Sequence, residues 1–290
     1  MATRQALERR ISSTQDMSSI VSTMKSLAAV NVRVFGRARD SLLDYSTVVE
    51  RALQVLLREN PGVPFSGRTS DAGERVAFFV FGAVQGMCAQ FTDHIAEHSV
   101  KTARRYGGEL SLVAVGPRVG PRLTALGMEP EREIPLGGSL DELPRVVDDC
   151  IVAVEQMQSA GISRIILCYN QDRRPSYQPH HEVLLPVDLS WIEEVRERNW
   201  PSNQLPVLLD ADYRFVRALF RQYIFVRLYR AAAESLAAEN AVRLSSMQSA
   251  ENNIEERLGE LEQKYNQQRQ QEITAELLDI VGGYTTLEES

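Results

Sequence analysis

A chain of 290 residues with 43% hydrophobic and 24% charged residues can fill one large domain or two small ones, and its apolar content argues against global disorder. Its formal charge of −7 excludes a general nucleic-acid binder, which needs a basic surface to displace counterions from phosphates. Cys88, Cys150 and Cys168 are odd in number, sit in apolar contexts and lack CxxC spacing, so the sequence suggests neither a disulfide framework nor a zinc site, and a reducing compartment fits best.

The opening run MATRQALERRISSTQDM carries basic residues but no apolar h-region, and no segment approaches the ~18 consecutive apolar residues of a membrane span. The expectation is a soluble chain without a signal peptide. All twelve prolines fall between Pro61 and Pro206, and so do thirteen of the seventeen glycines. Such segregation of helix breakers reads as helix, domain, helix, with divisions at 1–60, 61–211 and 212–290.

In the first segment, apolar or small residues recur at Leu7, Ile11, Met17, Ile20 or Val21, Met24, Leu27 or Ala28, Val34, Ala38, Leu42, Tyr45, Val49, Ala52 and Leu56. Steps of three and four make a narrow stripe of the coiled-coil kind. A helix from Thr3 to Asn60 would run roughly 85 Å at 1.5 Å per residue.

In the middle segment, candidate strands Arg75 to Phe81, Leu110 to Val115, Arg164 to Tyr169 and Glu182 to Val187 alternate with candidate helices near Asp93 to Tyr106, Val119 to Leu126 and Leu140 to Ser159. The alternation predicts a small α/β domain with a doubly wound, Rossmann-like sheet of parallel strands. The last segment, from about Asp212 to Tyr284, repeats the helical stripe through Val216, Leu219, Tyr223, Val226 or Leu228, Leu236, Val242, Met247, Ile254, Leu258, Leu261, Tyr265, Ile273, Leu277 and Ile280, and would span about 110 Å. Thin helices need a partner for their apolar face. An antiparallel coiled coil of the two ends is the economical answer, with a seam rich in Ser12, Ser13, Ser18, Ser19, Ala28, Ala29 and Asn31.

Three features invite a chemical reading. The turn Phe81, Gly82, Ala83, Val84, Gln85, Gly86 follows the first strand, where a dinucleotide fold would cradle phosphate, but it matches neither GxGxxG nor a phosphate loop with its lysine. His94 and His98 stand four apart on a predicted helix, a metal-ligand spacing, with His180 and His181 elsewhere; no third ligand is placed by the sequence. Arg214, Arg217, Arg221, Arg227 and Arg230 form a basic run that reads equally as a solvated face or as a contact for an acidic partner. No nucleophile, base and orienting acid stand in a recognisable motif.

The C-terminal run ELEQKYNQQRQQEITAELLDIVGG closely resembles the C-terminal signature of the gamma subunit of F-type ATP synthases, with YN, RQ, IT, EL and IVGG at matching spacings. The N-terminal run LERRISSTQDMSSIVSTMKSLAAV resembles that family's opening helix, and YRAAAESLAAENAVRLSSMQSAENN resembles the approach to the signature. Where the family usually carries SDRGLCGGFN, this chain carries AVQGMCAQFT. Gly86, Cys88 and Phe91 persist, whereas Val84 and Gln85 replace an acidic and basic pair, and Asn31 stands near the family's usual lysine. These departures look like a divergent branch, similar to the alternative bacterial N-ATPases.

The resemblance implies a non-catalytic rotor shaft that binds no cofactor and no nucleic acid. Its helices would pass through the hexamer of α and β subunits, and its α/β domain would meet the epsilon subunit and the membrane c-ring. The place implied is the cytoplasmic face of a bacterial inner membrane, without direct insertion. By matched motif, Met24, Lys25, Arg269, Gln270, Thr274 and Glu276 are the expected partner-contact residues, and the apolar end from Ile273 to Tyr284 is expected to act as a bearing. Two rival readings are a free coiled-coil adaptor and a nucleotide-dependent enzyme; a thermal shift with ATP or NAD separates the second, since ligand at 100 times its Kd adds about 2.7 kcal/mol.

Overall fold

A computed structural model describes residues 3–59, 75–106, 108–173, 176–204, 206, 208 and 213–288, with the side chains of the last helix described over 214–278. The expected seam and bearing positions Ile280 and Tyr284 lie outside the described side chains. The chain falls into two units, Met1–Ala28 with Leu244–Ser290, and Ala29–Arg243. Helices α1 (Arg4–Glu59) and α6 (Tyr213–Glu288) each contribute a segment to both.

The larger unit is built on a sheet of β1 (Val76–Phe81), β2 (Leu110–Val115), β3 (Arg132–Ile134), β4 (Arg164–Arg173) and β5 (Ser176–Leu185), in the order β3-β2-β1-β4-β5. Alternation of side chains splits β1 between two cores. Ala77, Phe79 and Phe81 face one way, against Leu53 and Leu56 of α1, Cys150 and Val154 of α4 (Leu143–Ser159), and Ile224, Leu228 and Ala232 of α6. Val76, Phe78 and Val80 face the other way, against Ile95 and Val100 of α2 (Phe91–Ala103) and Leu123 of α3 (Val119–Ala125). Buried on both faces, the strands read as continuous apolar runs, as central parallel strands must. Doubly wound packing is thus present, with the long terminal helices forming part of one layer.

The all-parallel expectation is corrected at the sheet edge. β1, β2, β3 and β4 pair in parallel, but β5 is antiparallel to β4. Only residues 174 and 175 separate the two strands in the sequence, and a link that short cannot carry a parallel crossover. β5 also begins at Ser176, well before the expected Glu182, because its first half, SYQPHHE, is polar and half exposed. The short β3 and α5 (Leu189–Glu197), whose N-cap Asp188 accepts a 2.9 Å hydrogen bond from the Ser190 N–H, were not anticipated. Gly82, at the exit of β1, is required by packing: a Cβ there would come within 2.4 Å of Val119 Cβ.

In the smaller unit the two helical segments run antiparallel. Arg4 meets Glu272 at 3.6 Å, Tyr265 donates to Glu8 at 2.9 Å, and Lys25 pairs with Glu251. The inward positions of α1 are Leu7, Ile11, Thr14, Ser18, Val21, Lys25 and Ala28, alternating steps of four and three as a coiled-coil seam requires. Seven expected seam residues are therefore corrected, among them Ser12, Ser13 and Ser19, which are exposed while Ser18 is turned inward. Met17 lies exposed, one residue off this spacing, and Ile273 and Leu277 are exposed because Glu272 already lies opposite Arg4, leaving no α1 residue to cover them. Tyr45, in the larger unit, is likewise exposed and hydrogen-bonds Gln222 at 2.8 Å. Where the sequence offered Ile20 or Val21, and Leu27 or Ala28, the structure turns Val21 and Ala28 inward and leaves Ile20 and Leu27 exposed.

Candidate functional site

The turn after β1 is where a doubly wound fold would bind phosphate, through backbone N–H groups. Here those groups are already engaged. Glu239, on α6, lays its carboxylate across the turn, accepting from the Val84 N–H at 2.9 Å and from the Gln85 N–H at 3.0 Å. Arg243, one helical turn further along α6, pairs with Glu239 and donates to the carbonyls of Gln85 and Gly86, each at 3.3 Å. Its Nη1 donates to Asn240 Oδ1 at 3.0 Å, which also accepts from Asn31 of α1 at 3.3 Å. The side chains of Arg243 and Glu239 are only 5% and 2% exposed. A buried ion pair is tolerated when its remaining valences are satisfied, and here the backbone of the turn satisfies them.

Beyond the clamp, Met87 and Ala89 adopt positive φ of 60° and 48°, a conformation costly for residues with a Cβ. Between them Cys88 is buried with Ala83, Phe91 and Ala238; burial, then the Glu239 carboxylate, push its thiol pKa up. Met87 is left 63% exposed. The turn is thus a rigid knob fastened to α6, with its phosphate-binding donors occupied by a carboxylate of the same chain. That arrangement argues against the nucleotide-dependent enzyme.

The helix pair His94 and His98 does not share a site, each histidine meeting a different partner. His94 lies between Gln90, 3.1 Å from its Nε2, and the Tyr177 hydroxyl, 2.8 Å from its Nδ1, whereas His98 Nε2 lies 3.0 Å from His181 Nδ1. Among the described residues no cluster of three or more His, Cys, Asp or Glu could hold a metal ion. The basic run on α6 is largely taken up within the chain: Arg221 by Glu155 at 3.0 Å and Asp148 at 3.7 Å, Arg227 by Glu182 at 2.6 Å, and Arg230 by Glu234 at 2.9 Å. Arg217 reaches Glu155 at 4.0 Å, and Arg214 is exposed.

The six expected contact residues separate into two patches on the helical unit. Met24 and Lys25 are half-buried, Lys25 through its pair with Glu251. Arg269, Gln270, Thr274 and Glu276 are exposed near the start of α1, and the Thr274 hydroxyl donates to the Gln270 carbonyl at 2.8 Å. Along α1 the two patches lie roughly 30 Å apart at 1.5 Å per residue. Sequence reasoning missed a third feature, the exposed apolar row Met17, Ile20 and Leu27. Its signal was available: these residues are apolar yet one position off the seam spacing, so a second stripe runs beside the first.

Comparison with known proteins is consistent along the whole chain. A family model described as ATP synthase matches residues 3–287. The ATP synthase gamma chain of Bacteroides fragilis is 27% identical over 291 residues, covering 98% of this chain and 99% of the relative. That of Cupriavidus pinatubonensis is 25% identical with the same coverage. Among solved structures, a chain of the Euglena gracilis mitochondrial ATP synthase, captured as OSCP, F1 and c-ring, superposes with a TM-score of 0.62 at 16% identity, covering 98% of this chain and 94% of that one. A chain of the Tetrahymena thermophila central stalk and c-ring gives 0.56 at 17% identity, over 80% of this chain and 99% of that one.

Proposed function

Since the chain belongs to the ATP synthase gamma-chain family, whose members are non-catalytic rotor subunits, we propose that its helical unit is the shaft gripped by a ring of α and β subunits and that its larger unit meets the epsilon subunit and the c-ring. The observation that carries this reading is the pairing of α1 with α6, whose last described contact is Arg4 with Glu272, with the exposed Ile273, Leu277 and Leu278 beyond it. Helix left uncovered among the described residues, and carrying large apolar side chains, calls for a surface supplied by others. An asymmetric shaft touches each catalytic subunit differently, and rotation then shifts their open and closed populations in turn, which is coupling by differential contact.

Within that reading, Met24, Lys25, Arg269, Gln270, Thr274 and Glu276 contact the catalytic ring, and Met17, Ile20 and Leu27 add an apolar stripe to the same interface. Exposure of Arg269, Gln270, Thr274 and Glu276 supports their part in it. The placement is peripheral, on the cytoplasmic face of a bacterial inner membrane; no helix among the described residues is long and apolar enough to cross one. The replacements at Val84, Gln85 and Asn31 support a divergent branch of the alternative N-ATPase kind, and the division into 1–60, 61–211 and 212–290 is retained as helix, domain and helix.

Reconstitution with the α and β subunits tests the reading. Arg269→Glu is expected to lower rotor-coupled ATPase activity about tenfold or more, as for loss of a charge-assisted contact worth ~1.5–3 kcal/mol. Undiminished coupled activity in an assembled complex would remove Arg269 from the interface, and failure of the wild-type chain to co-purify with α and β would overturn the subunit reading itself.

A further inference from the structure

We propose that the contact between His98 on α2 and His181 on β5 is a pH-sensitive latch, which fastens the outer strand of the sheet to α2 at neutral pH and releases it in mild acid. The proposal concerns the larger unit alone and does not depend on the interface assigned above. Among the described residues β5 is the sheet edge, with a strand paired on one long side only, and its attachment depends on β4 and on what its two faces touch. On the face toward α2, Tyr177 meets His94 and His181 meets His98. Contacts four residues apart on the helix and four apart on the strand pin the two elements in one register.

The two contacts respond differently to a proton. His94 Nε2 faces the Gln90 amide oxygen, so it carries the hydrogen and Nδ1 accepts from Tyr177. A proton added at Nδ1 is donated to the same phenol oxygen, and the contact survives. Between His98 and His181 the facing nitrogens are 3.0 Å apart, so one must be N–H and the other a lone pair. The donor ring can take one further proton on its far nitrogen. A second proton on the pair must occupy the accepting nitrogen, and two N–H groups then point at each other.

The surroundings discourage charge on either ring. Burial is the largest influence and lowers both pKa values below 6.5; for His98 it is followed by His181, His180, Arg105 and Lys101, and for His181 by His180 and Arg105. From β4, the neighbouring strand, comes the Cys168 thiol, neutral and hydrogen-bonded with Ser99. From α3, Arg122 is held by Asp93 and Glu97. A base whose folded pKa is depressed favours the closed state while neutral. The latch is therefore fully effective above 6.5 and is lost as pH falls through and below that value.

Release has a route to the long helix. On its other face β5 presents Glu182, which pairs with Arg227 of α6 at 2.6 Å. The strand fastened by His98 is also the strand that holds an arginine of α6, so acid would loosen that hold without touching the buried clamp at Glu239.

Amide hydrogen exchange on the full chain at pH 7.5 and 5.5, corrected for intrinsic rates, reads the latch directly. In the wild type, β5 amides are expected to lose protection roughly tenfold, the gain in opening for one extra proton bound over one pH unit. The double variant His98→Gln with His181→Gln, which keeps two hydrogen-bonding side chains but cannot titrate at the pair, is expected to show equal protection at both pH values. Unchanged protection of β5 in the wild type, or the same acid loss in the double variant, would overturn the proposal. So would imidazole NMR titrations in which His98 and His181 take up protons independently with pKa values near 6.5.

Discussion

The turn after β1 and the seam of the helical unit are both contacts of α6 with the rest of the chain, yet they are built from opposite materials. At the turn, two opposite charges are almost completely enclosed, and the ion pair, the Val84 and Gln85 N–H groups and the Gln85 and Gly86 carbonyls leave little for a partner to add. Along the seam, only Leu7, Ala28, Met247 and Leu261 are buried among the described residues, and serine and threonine occupy inward positions between them. The difference teaches where stability is held within the chain and where it is left to be supplied by others. A buried network fixes one geometry, because every alternative strands a charge; a thin, polar seam holds register loosely while much of its surface stays open.

Substitutions that weigh the two regions against each other should differ in size. Arg243→Met removes the cation but leaves Glu239 buried, and a loss of about 3–5 kcal/mol is expected in denaturant unfolding of the larger unit. The double variant Glu239→Leu with Arg243→Met should cost less than the sum of the two single changes, since no lone charge remains; strict additivity would show that the clamp is not one unit. In the seam, Leu261→Ala removes a buried side chain from a site with room to collapse, so about 2 kcal/mol is expected, at the low end for such truncations. Hydrogen exchange should place that loss in 3–28 and 244–278, sparing the sheet. Ile20→Ser, on the exposed stripe, should change the isolated chain by no more than ~0.5 kcal/mol while lowering coupled ATPase activity after reconstitution. A large loss in the isolated chain would mean that Ile20 belongs to the seam after all.

The two regions also differ in how far the sequence discloses them. The helices were legible because their interiors lack proline and almost all glycine, and the core strands because VAFFVF and LSLVAV are apolar on both faces. β5 was only half legible, since an edge strand need not be apolar and SYQPHHE gives no period-two signal. The seam was legible to within one residue, which on a helix turns a side chain about 100° and decides whether Ile20 or Val21 faces inward. Glu239 and Arg243 could be read as an ordinary i, i+4 pair. Their role at the turn could not, because Val84 lies 155 positions from Glu239 in the chain and no local pattern records such a contact. Likewise the arginines of α6 looked available to an outside partner until Glu155 and Glu182 were found beside them.

The antiparallel register of the helical unit is tested most directly by disulfide trapping. Cys88, Cys150 and Cys168 are all buried, so the native thiols give little background. Cysteines introduced at Glu8 and Tyr265, and separately at Lys25 and Glu251, should each cross-link rapidly within one chain under mild oxidation, whereas Glu8 combined with Glu251 should not. Cross-linking of the mismatched pair at the same rate, or of neither matched pair, would contradict the pairing on which the assignment of a gripped helical shaft rests.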